Sequence, residues 1–256
     1  MQKRGIWAVC WLLLGVLAVG TPGRAQAADE GDPPMYISVS QWAVPRAQWG
    51  EVTKRNDADR AMMDKLVADG TLTGYGEFMN LIHAEGEPTH GEWMTAASEG
   101  NILKALEGFY ARPDVTAPVL AASKHWDYFL VSRMHKERSG KFEGAYLTGI
   151  AWDVKPGQDE GFRNLLKSRV VPILEKLLAD GTLIFYTVAV ENYHTQPPGH
   201  YEVVFTTPDA AGVDKVSQAF EAAFAKDTEI GPAMRSLTKD ETHRDFLFRV
   251  THMANK

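Results

Sequence analysis

An eight-residue segment occurs twice in this chain, and this repeat constrains the fold more than any other feature. The copies are KLVADGTL at Lys65–Leu72 and KLLADGTL at Lys176–Leu183, identical at seven of eight positions at an offset of 111 residues. We interpret the repeat as a trace of internal duplication, so the two halves of the chain can be aligned with each other. Gly70 and Gly181 stand where helices commonly end in a left-handed conformation, so each copy is expected to close a helix.

The first 27 residues have the pattern of a secretory signal peptide. Lys3 and Arg4 precede an almost wholly apolar run at residues 6–19, and Ala25-Gln26-Ala27 supplies the small residues that a signal peptidase reads. We expect cleavage after Ala27 and a periplasmic or secreted protein. Because the apolar run is shorter than the about 20 residues of a membrane-spanning helix, we expect no stable membrane association after cleavage.

The expected mature chain has 229 residues and no cysteine, because Cys10 is the only one in the sequence. Disulfides and thiolate chemistry are therefore excluded, and a chain of this length can be held together by its core. Cleavage would leave 24 basic residues against 33 acidic ones, a net charge of −9. This acidity argues against nucleic acid and anionic membrane surfaces as partners.

Hydrophobic periodicity predicts the same succession of elements in each half. In the first half we expect strands at residues 36–44, 73–82, 92–97 and 127–134, with helices at 48–68 and from 101 onward. In the second half we expect strands at residues 145–154, 183–193, 201–207 and 245–251, with helices at 159–179 and from 209 onward. Pro172 should kink or split the longer helix of the second half.

The order β-α-β-β-α-β is the ferredoxin-like arrangement. We therefore predict an α+β fold of two tandem ferredoxin-like modules, whose sheets pack face to face as an intramolecular α/β barrel. The predicted parts are a signal peptide (1–27), a disordered lead-in (28–34), module 1 (35–136), a linker (137–143) and module 2 (144–256). Because one chain supplies both halves of the barrel, we expect a monomer or a weak dimer.

The segment Trp152–Gln158 (WDVKPGQ), which leads from a strand into a helix, resembles the dimeric α/β-barrel superfamily, and within it the antibiotic-biosynthesis-monooxygenase-like domains. Trp42–Pro45 is the weaker counterpart in the first half. The resemblance covers nearly all of the mature chain and implies two ferredoxin-like units. The superfamily includes cofactor-free oxygenases, haem-degrading enzymes, chlorite dismutases and dye-decolorising peroxidases. An enzyme here would therefore be a monooxygenase-like oxidoreductase, but the fold alone does not decide whether the chain is catalytic.

The eight histidines form pairs across the two halves. His83 and His194 align at the 111-residue offset, and His90 and His200 follow them across the hairpin loops, each two residues before a glutamate. Because neutral imidazole is a common ligand of zinc, copper and iron, these four are candidate metal ligands. The alternative is that the duplication copied ordinary loop-edge histidines. No cofactor is predicted, and the sequence leaves a metal or a haem open. No histidine lies on a predicted helix, where the larger haem enzymes carry their ligand.

Aromatic strand residues are the other candidate site. Trp42, Tyr75, Trp152 and Tyr186 are candidates to hold a planar ligand, with Asn80 and Asn192 at the strand ends to polarise a carbonyl. The alternative is that these large aromatic residues are core. The acidic run Asp57-Ala58-Asp59 is expected on a solvated helix face.

Three hypotheses follow. The first is an exported barrel that binds a small, largely apolar ligand, with cofactor-independent oxygenase chemistry as an extension. The second is a non-catalytic structural or interaction module with a filled barrel. The third is a metal-binding exported protein that uses the paired hairpin histidines.

Overall fold

The computed structural model describes residues 32–112, 118–193 and 198–256. The strands are β1 (Met35–Ala43), β2 (Gly74–Asn80), β3 (His90–Ala96), β4 (Lys124–Glu137), β5 (Gly140–Phe142), β6 (Tyr146–Asp153), β7 (Phe185–Tyr193), β8 (His200–Thr207) and β9 (Arg244–Asn255). The helices are α1 (Trp49–Ala68), α2 (Glu99–Tyr110), α3 (Pro118–Ala121), α4 (Asp159–Leu165), α5 (Val171–Ala179), α6 (Ala210–Lys226) and α7 (Ile230–Leu237).

Eight antiparallel strands form a closed barrel, so the fold is α+β. The strand order is β2-β3-β1-β4-β7-β8-β6-β9, and β9 pairs back to β2. The strands of the two halves are thus joined edge to edge at β4–β7 and at β2–β9. No barrel strand has a free edge along its whole length, which removes the exposed strand edges that promote aggregation.

Several details of the sequence prediction are confirmed. Gly70 and Gly181 have φ angles of 81° and 85° at the ends of α1 and α5. The longer helix of the second half is divided, as expected from Pro172, which lies in the first turn of α5. A π-helical turn at Leu166–Val170 separates α4 from α5.

Other details were not predicted. The polar stretch expected as a linker contains β5, which continues the line of β6 along the edge of β9. Helix α7 was missed, and β9 extends to Asn255. Of the expected lead-in, residues 28–31 lie outside the described residues. Among the described residues, none of the helices combines the length and apolar character needed to span a membrane.

The expectation that Asp59 lies on a solvated helix face is wrong. Asp59 is buried in α1, with Oδ2 2.9 Å from Nε of Arg55, and it also pairs with Arg112. A charged side chain can be buried when charges of the opposite sign surround it. These partners are not apparent from the local hydropathy on which the prediction rested.

Candidate functional site

The inward faces of the barrel strands enclose a cavity of about 970 Å³. Side chains alternate between the two faces of a strand, so every second residue points toward this space. Aromatic rings are prominent in the lining: Phe78, Trp93, Trp126, Tyr128, Phe185, Phe246 and Phe248. Buried apolar residues, including Met35, Ala145 and Ile184, close one end of the barrel. At the other end, which we call the mouth, the exposed segments Ile82–Ala84 and His243–Asp245 line the cavity.

Glycines on the barrel wall make room for some of these rings. A Cβ atom at Gly149 would lie 1.7 Å from Cε2 of Phe246. A Cβ atom at Gly91 would lie 2.3 Å from Cζ of Phe78. Because neither contact is sterically allowed, only glycine lets these rings lie directly against the backbone of a neighbouring strand. Because these rings lie against the barrel wall, they leave space in the middle of the barrel.

The mouth holds an imidazole between two carboxylates. His200 has Nδ1 3.1 Å from Oδ1 of Asp153 and Nε2 3.2 Å from Oε1 of Glu202. Asp153 lies opposite His200 in the β6–β8 ladder. Burial alone would lower the pKa of His200, but hydrogen bonds and charge from Glu202, and then from Asp153, outweigh it and raise the pKa to about 9. The ring is therefore an imidazolium at neutral pH.

Tyr128 in β4 lines the cavity, and its pKa is affected by further negative charges around it. Burial, followed by the charges of Glu202, Glu191 and Glu87, raises the pKa of Tyr128 to about 12. These carboxylates come from β8, from β7 and from the β2–β3 loop. Negative charge therefore reaches this phenol from several sides of the barrel.

A buried hydroxyl also lines the cavity. Thr187 in β7 is 3% exposed, and its Oγ1 has no hydrogen-bond partner within the described ranges. Thr187 pairs with Val204, two residues along β8 from Glu202. That separation places it about 7 Å further into the barrel than Glu202. Because an unsatisfied buried hydroxyl is unfavourable, a polar ligand atom at this depth would be stabilised.

Two of the predicted ligand contacts, Trp42 and Trp152, lie on the outer face of the barrel. They occupy matching positions on β1 and β6, and each stacks on a histidine. The ring centroids are 5.9 Å apart for Trp42 and His125, and 5.4 Å apart for Trp152 and His243. The alternate residues of β1 and β6 line the cavity instead.

The other two predicted aromatic contacts, Tyr75 and Tyr186, connect the outer face of the sheet to helices. Tyr75 donates a hydrogen bond to Oδ1 of Asp64 at 2.9 Å, and its hydroxyl lies 3.1 Å from Nε2 of His252. Tyr186 donates to Oε1 of Glu175 at 3.4 Å. Both tyrosines are buried, and a tyrosine–carboxylate pair therefore occurs once in each half.

The two predicted asparagines have different environments. Asn80 lines the cavity and also holds the β2–β3 loop, because its Nδ2 donates to the Pro88 carbonyl at 3.1 Å and its Oδ1 accepts from the Ile82 amide at 3.1 Å. Asn192 is exposed, close to a register shift between β4 and β7. Of the six predicted ligand contacts, Asn80 is the one that lines this cavity.

The candidate metal ligands are divided between two places. His83 and His90 both contact the ring of Trp49, at 6.1 and 5.1 Å between ring centroids. Burial, and then the charge of His83, lowers the pKa of His90 to about 4. His200 lies inside the barrel, and His194 lies outside the described residues. Within the described part of the chain, no group of three or more His, Cys, Asp or Glu side chains is placed to hold a metal ion.

The expected correspondence between His90 and His200 is wrong. Trp42 pairs with His90 across the β1–β3 ladder, whereas Trp152 pairs with Tyr201 across the β6–β8 ladder. Tyr201 is therefore the counterpart of His90, at the 111-residue offset. A difference of one residue reverses the face of a strand, so His90 lies on the outer face and His200 on the inner face.

A smaller pocket of about 260 Å³ lies on the outer face of the first half and is lined by residues of α1 and α2. Arg55 lines it and pairs with both Glu92 and Asp59. Burial raises the pKa of Glu92, although the charge of Arg55 opposes this. In the second half the helices and sheet enclose a continuous apolar core that includes Phe162, Leu166, Val170 and Val203.

Sequence reasoning missed Asp153, Glu202 and Thr187 as cavity residues. Asp153 stands in the WDVKPGQ segment that carries the resemblance, next to Trp152. The 111-residue offset, kept through the third strands, would have aligned Glu202 with Gly91. That alignment would have placed Glu202 on the opposite strand face from Glu92. The shared histidine–glutamate spacing suggested instead that the two glutamates are equivalent.

Solved structures share this closed barrel with flanking helices. A proposed monooxygenase from Fusobacterium nucleatum subsp. nucleatum ATCC 25586 has a TM-score of 0.64 at 12% identity, over 88% of this chain and 95% of that one. A proposed monooxygenase from Lactobacillus acidophilus NCFM has a TM-score of 0.63 at 11% identity, over 88% of this chain and 97% of that one.

An anthrone oxidase-like protein has a TM-score of 0.51 at 11% identity, over 88% of this chain and 94% of that one. At such identities the likeness shows the fold alone. No protein-family model and no curated protein sequence matches the chain.

Proposed function

We propose that this chain is an exported protein that binds a small, largely apolar ligand inside its α/β barrel. The observation that carries the proposal is the cavity of about 970 Å³, with aromatic walls and a few polar groups at its mouth. Small-molecule sites are typically concave and mostly apolar, with a few placed polar groups, and have volumes of about 300–1,000 Å³. A barrel filled by its own side chains would offer no such space.

Binding is tested with N-phenyl-1-naphthylamine, a neutral probe whose fluorescence rises in apolar surroundings. We expect saturable binding by the mature protein, with quenching of tryptophan fluorescence, because Trp93 and Trp126 line the cavity. Ala151 also lines it and is buried, so Ala151→Trp should fill the space and weaken binding at least tenfold. Ala189→Phe is a second filling variant, and Ala58→Trp, on the exposed face of α1, is the matched control. Unchanged affinity in both filling variants would refute the proposal.

A second candidate function is cofactor-independent oxygenase chemistry in the smaller outer pocket. The observation that favours it is Glu92, a half-buried carboxyl beside Arg55 whose pKa is raised by burial. A carboxylate whose pKa is raised is a better general base, and an adjacent guanidinium stabilises an enolate-like anion.

The test substrate for this chemistry is anthrone, which one molecule of O₂ converts to anthraquinone and one molecule of water. We expect O₂ uptake that Glu92→Gln reduces at least a hundredfold, while Glu107→Gln on α2 leaves it unchanged. Uptake no faster than the uncatalysed reaction would reject this candidate for anthrone.

Export and tandem organisation belong to the same proposal. The Ala25-Gln26-Ala27 pattern supports cleavage after Ala27, and the matching ladder positions of Trp42 and Trp152 support two duplicated modules. Mass spectrometry of the protein recovered from the periplasm or medium should find Ala28 at the N-terminus. Retention of residues 1–27 would contradict export by signal cleavage.

A further inference from the structure

We propose that the cavity selects organic cations: its ligand has a flat apolar body and an ammonium or amidinium head that binds Asp153 and Glu202. This inference rests on the proposed ligand-binding function and adds the chemical class of the ligand. It follows from the charges at the mouth, the aromatic walls and the unsatisfied hydroxyl of Thr187.

The two carboxylates are placed to receive a second cation. Asp153 uses Oδ1 and Glu202 uses Oε1 to contact His200. The side chains are 19% and 16% exposed, so both are largely removed from water but remain accessible from the mouth. Within the described part of the chain, Oδ2 of Asp153 and Oε2 of Glu202 make no hydrogen bond or ion pair. These oxygens are available to accept hydrogen bonds from a charged donor.

The charge around this group is negative. Two carboxyl groups share a single imidazole here, so the acidic groups outnumber the basic one. Of the other charged residues lining the cavity, Glu87 and Asp245 are acidic and Arg244 is basic, while His243 pairs with Asp245 at 3.3 Å. The same negative charge acts on Tyr128, whose pKa is raised first by burial and then by Glu202, Glu191 and Glu87. An anionic ligand head would be repelled here, whereas a cation would be attracted.

The aromatic walls favour the same class of ligand. The face of an aromatic ring attracts a cation, most strongly when the ring is tryptophan. One face of Trp126 is already occupied by a cation, because Nζ of Lys124 lies 4.4 Å from its ring centroid, so the other rings of the lining are the ones offered to a ligand. Phe246 and Tyr128 add further rings to the lining, so a cation inside the barrel would meet aromatic faces where it loses water.

Thr187 suggests a second polar atom on the ligand. Its hydroxyl is buried, lacks a partner among the described residues and lies about 7 Å further into the barrel than Glu202. A ligand whose cationic head lies at the carboxylates, and whose body carries a hydroxyl, ether or carbonyl about two ring widths away, would satisfy both places. The apolar body between them would contact the aromatic walls.

The experiment compares three probes that share a naphthalene ring and differ in charge. They are 1-naphthylmethylammonium, whose N–H groups can donate to the carboxylates, 1-naphthalenemethanol and 1-naphthoate, each measured by displacement of N-phenyl-1-naphthylamine from the mature protein. We expect the cation to bind at least tenfold more tightly than the alcohol, and the carboxylate to bind more weakly than the alcohol. The preference for the cation should shrink as salt is raised, because salt screens the carboxylates.

Two variants test the residues. Asp153→Asn and Glu202→Gln should each weaken cation binding about tenfold and leave the alcohol unchanged, with Glu221→Gln on the exposed face of α6 as control. If one variant fails to fold, the other still decides. Equal affinity for cation and alcohol, tighter binding of the carboxylate, or a cation preference that survives both variants would overturn the inference. If no probe binds, including N-phenyl-1-naphthylamine, then the proposed function itself fails.

Discussion

Glu92 and Glu202 show how much depends on one position along a strand. Each follows a histidine by two residues, and the sequence suggests that they are equivalent. In the structure Glu92 lines the outer pocket with Arg55, and Glu202 lines the cavity with His200. Because faces alternate with every residue, a shift of one residue between the halves exchanges an internal ion pair for an external one.

The fit between Gly149 and Phe246 predicts a specific sensitivity to a single methyl group. Gly149→Ala would place Cβ 1.7 Å from the present position of Phe246 Cε2, so the ring must move into the cavity. We expect a loss of about 1–3 kcal/mol in the free energy of unfolding, measured with urea. Gly108→Ala on α2, where nothing lies within 4 Å of the added atom, is the control. It should be neutral or stabilising, since alanine favours a helix by about 1 kcal/mol over glycine. Equal effects at both positions would contradict the argument.

His200 predicts a stability that depends on pH. Its pKa is about 9 in the folded protein against 6.5 for the free side chain, so the folded state holds a proton that the unfolded chain releases. Its stabilising contribution is complete below pH 6.5 and is lost as pH rises through about 9. We expect wild type to lose up to about 3 kcal/mol over this window relative to His200→Gln. Parallel stability curves for the two proteins between pH 6.5 and 9 would show that the imidazolium contributes nothing.

At the level of elements, α1 packs on the sheet through ion pairs as well as apolar side chains, whereas its counterpart packs through apolar side chains. Leu165 and Leu166 stand 110 and 111 residues after Arg55, and Val203 stands 111 after Glu92. Trp42 and Trp152 match at an offset of 110, but the repeated segments that follow match at 111. The second half is therefore one residue longer than the first between these points. The π-helical turn at Leu166–Val170 lies in that interval, and such turns accommodate an extra residue in a helix.

The apolar core of the second half suggests how the first half would respond to removal of the Arg55–Glu92 ion pair. Glu92→Val alone removes one of the two carboxylates that face Arg55, whose side chain is 10% exposed, and should cost about 3 kcal/mol of unfolding free energy. Arg55→Leu combined with Glu92→Val reproduces two residues of the second half and leaves Asp59 paired with Arg112, so it should be less destabilised than the sum of the two single variants. Urea unfolding of the two single variants and the double variant gives the coupling energy. Strictly additive losses would contradict the comparison between halves.

Much of the element order could be predicted, because periodicity and turn residues are local signals. The division at Pro172 and the left-handed ends at Gly70 and Gly181 follow from properties of those residues themselves. The aromatic residues were assigned to strands correctly, but the face of each strand could not be assigned. A large aromatic residue such as Trp42 or Tyr75 could lie on either face of its strand. The face it occupies depends on which side of the sheet the helices cover. Thr187 gave no sequence signal, because its significance is that its hydroxyl has no partner among the residues that the structure describes.

At the level of the whole molecule, the barrel joins the two halves through two sets of strand pairs. Each half alone would expose two sheet edges, one at β4 or β7 and one at β2 or β9. Division of the chain near Gly140 should therefore yield halves that are insoluble alone and that reassociate when produced together. Co-purification of an untagged half with a tagged one is the measurement. Two stable, monomeric halves would refute the requirement for both interfaces.

The closure of the barrel by the β2–β9 pairing also predicts the oligomeric state of the protein. All eight barrel strands have partners on both sides, so the sheet offers no continuous edge to a second copy. We expect the mature protein to behave as a monomer or weak dimer in gel filtration combined with light scattering. A tight, large oligomer at micromolar concentration would contradict this expectation.

The pairing of β9 with β2 also determines when during synthesis the barrel can close. β9 pairs with β2, and residues as distant as Glu77 and His252 face each other in that ladder. A ribosome must therefore complete nearly the whole described chain before the wall can close and the cavity can exist. Contacts between such distant positions form slowly, so the polypeptide spends an interval open after synthesis. During that interval the chain is still unfolded, which the proposed export would require, and the ligand cavity forms only afterwards.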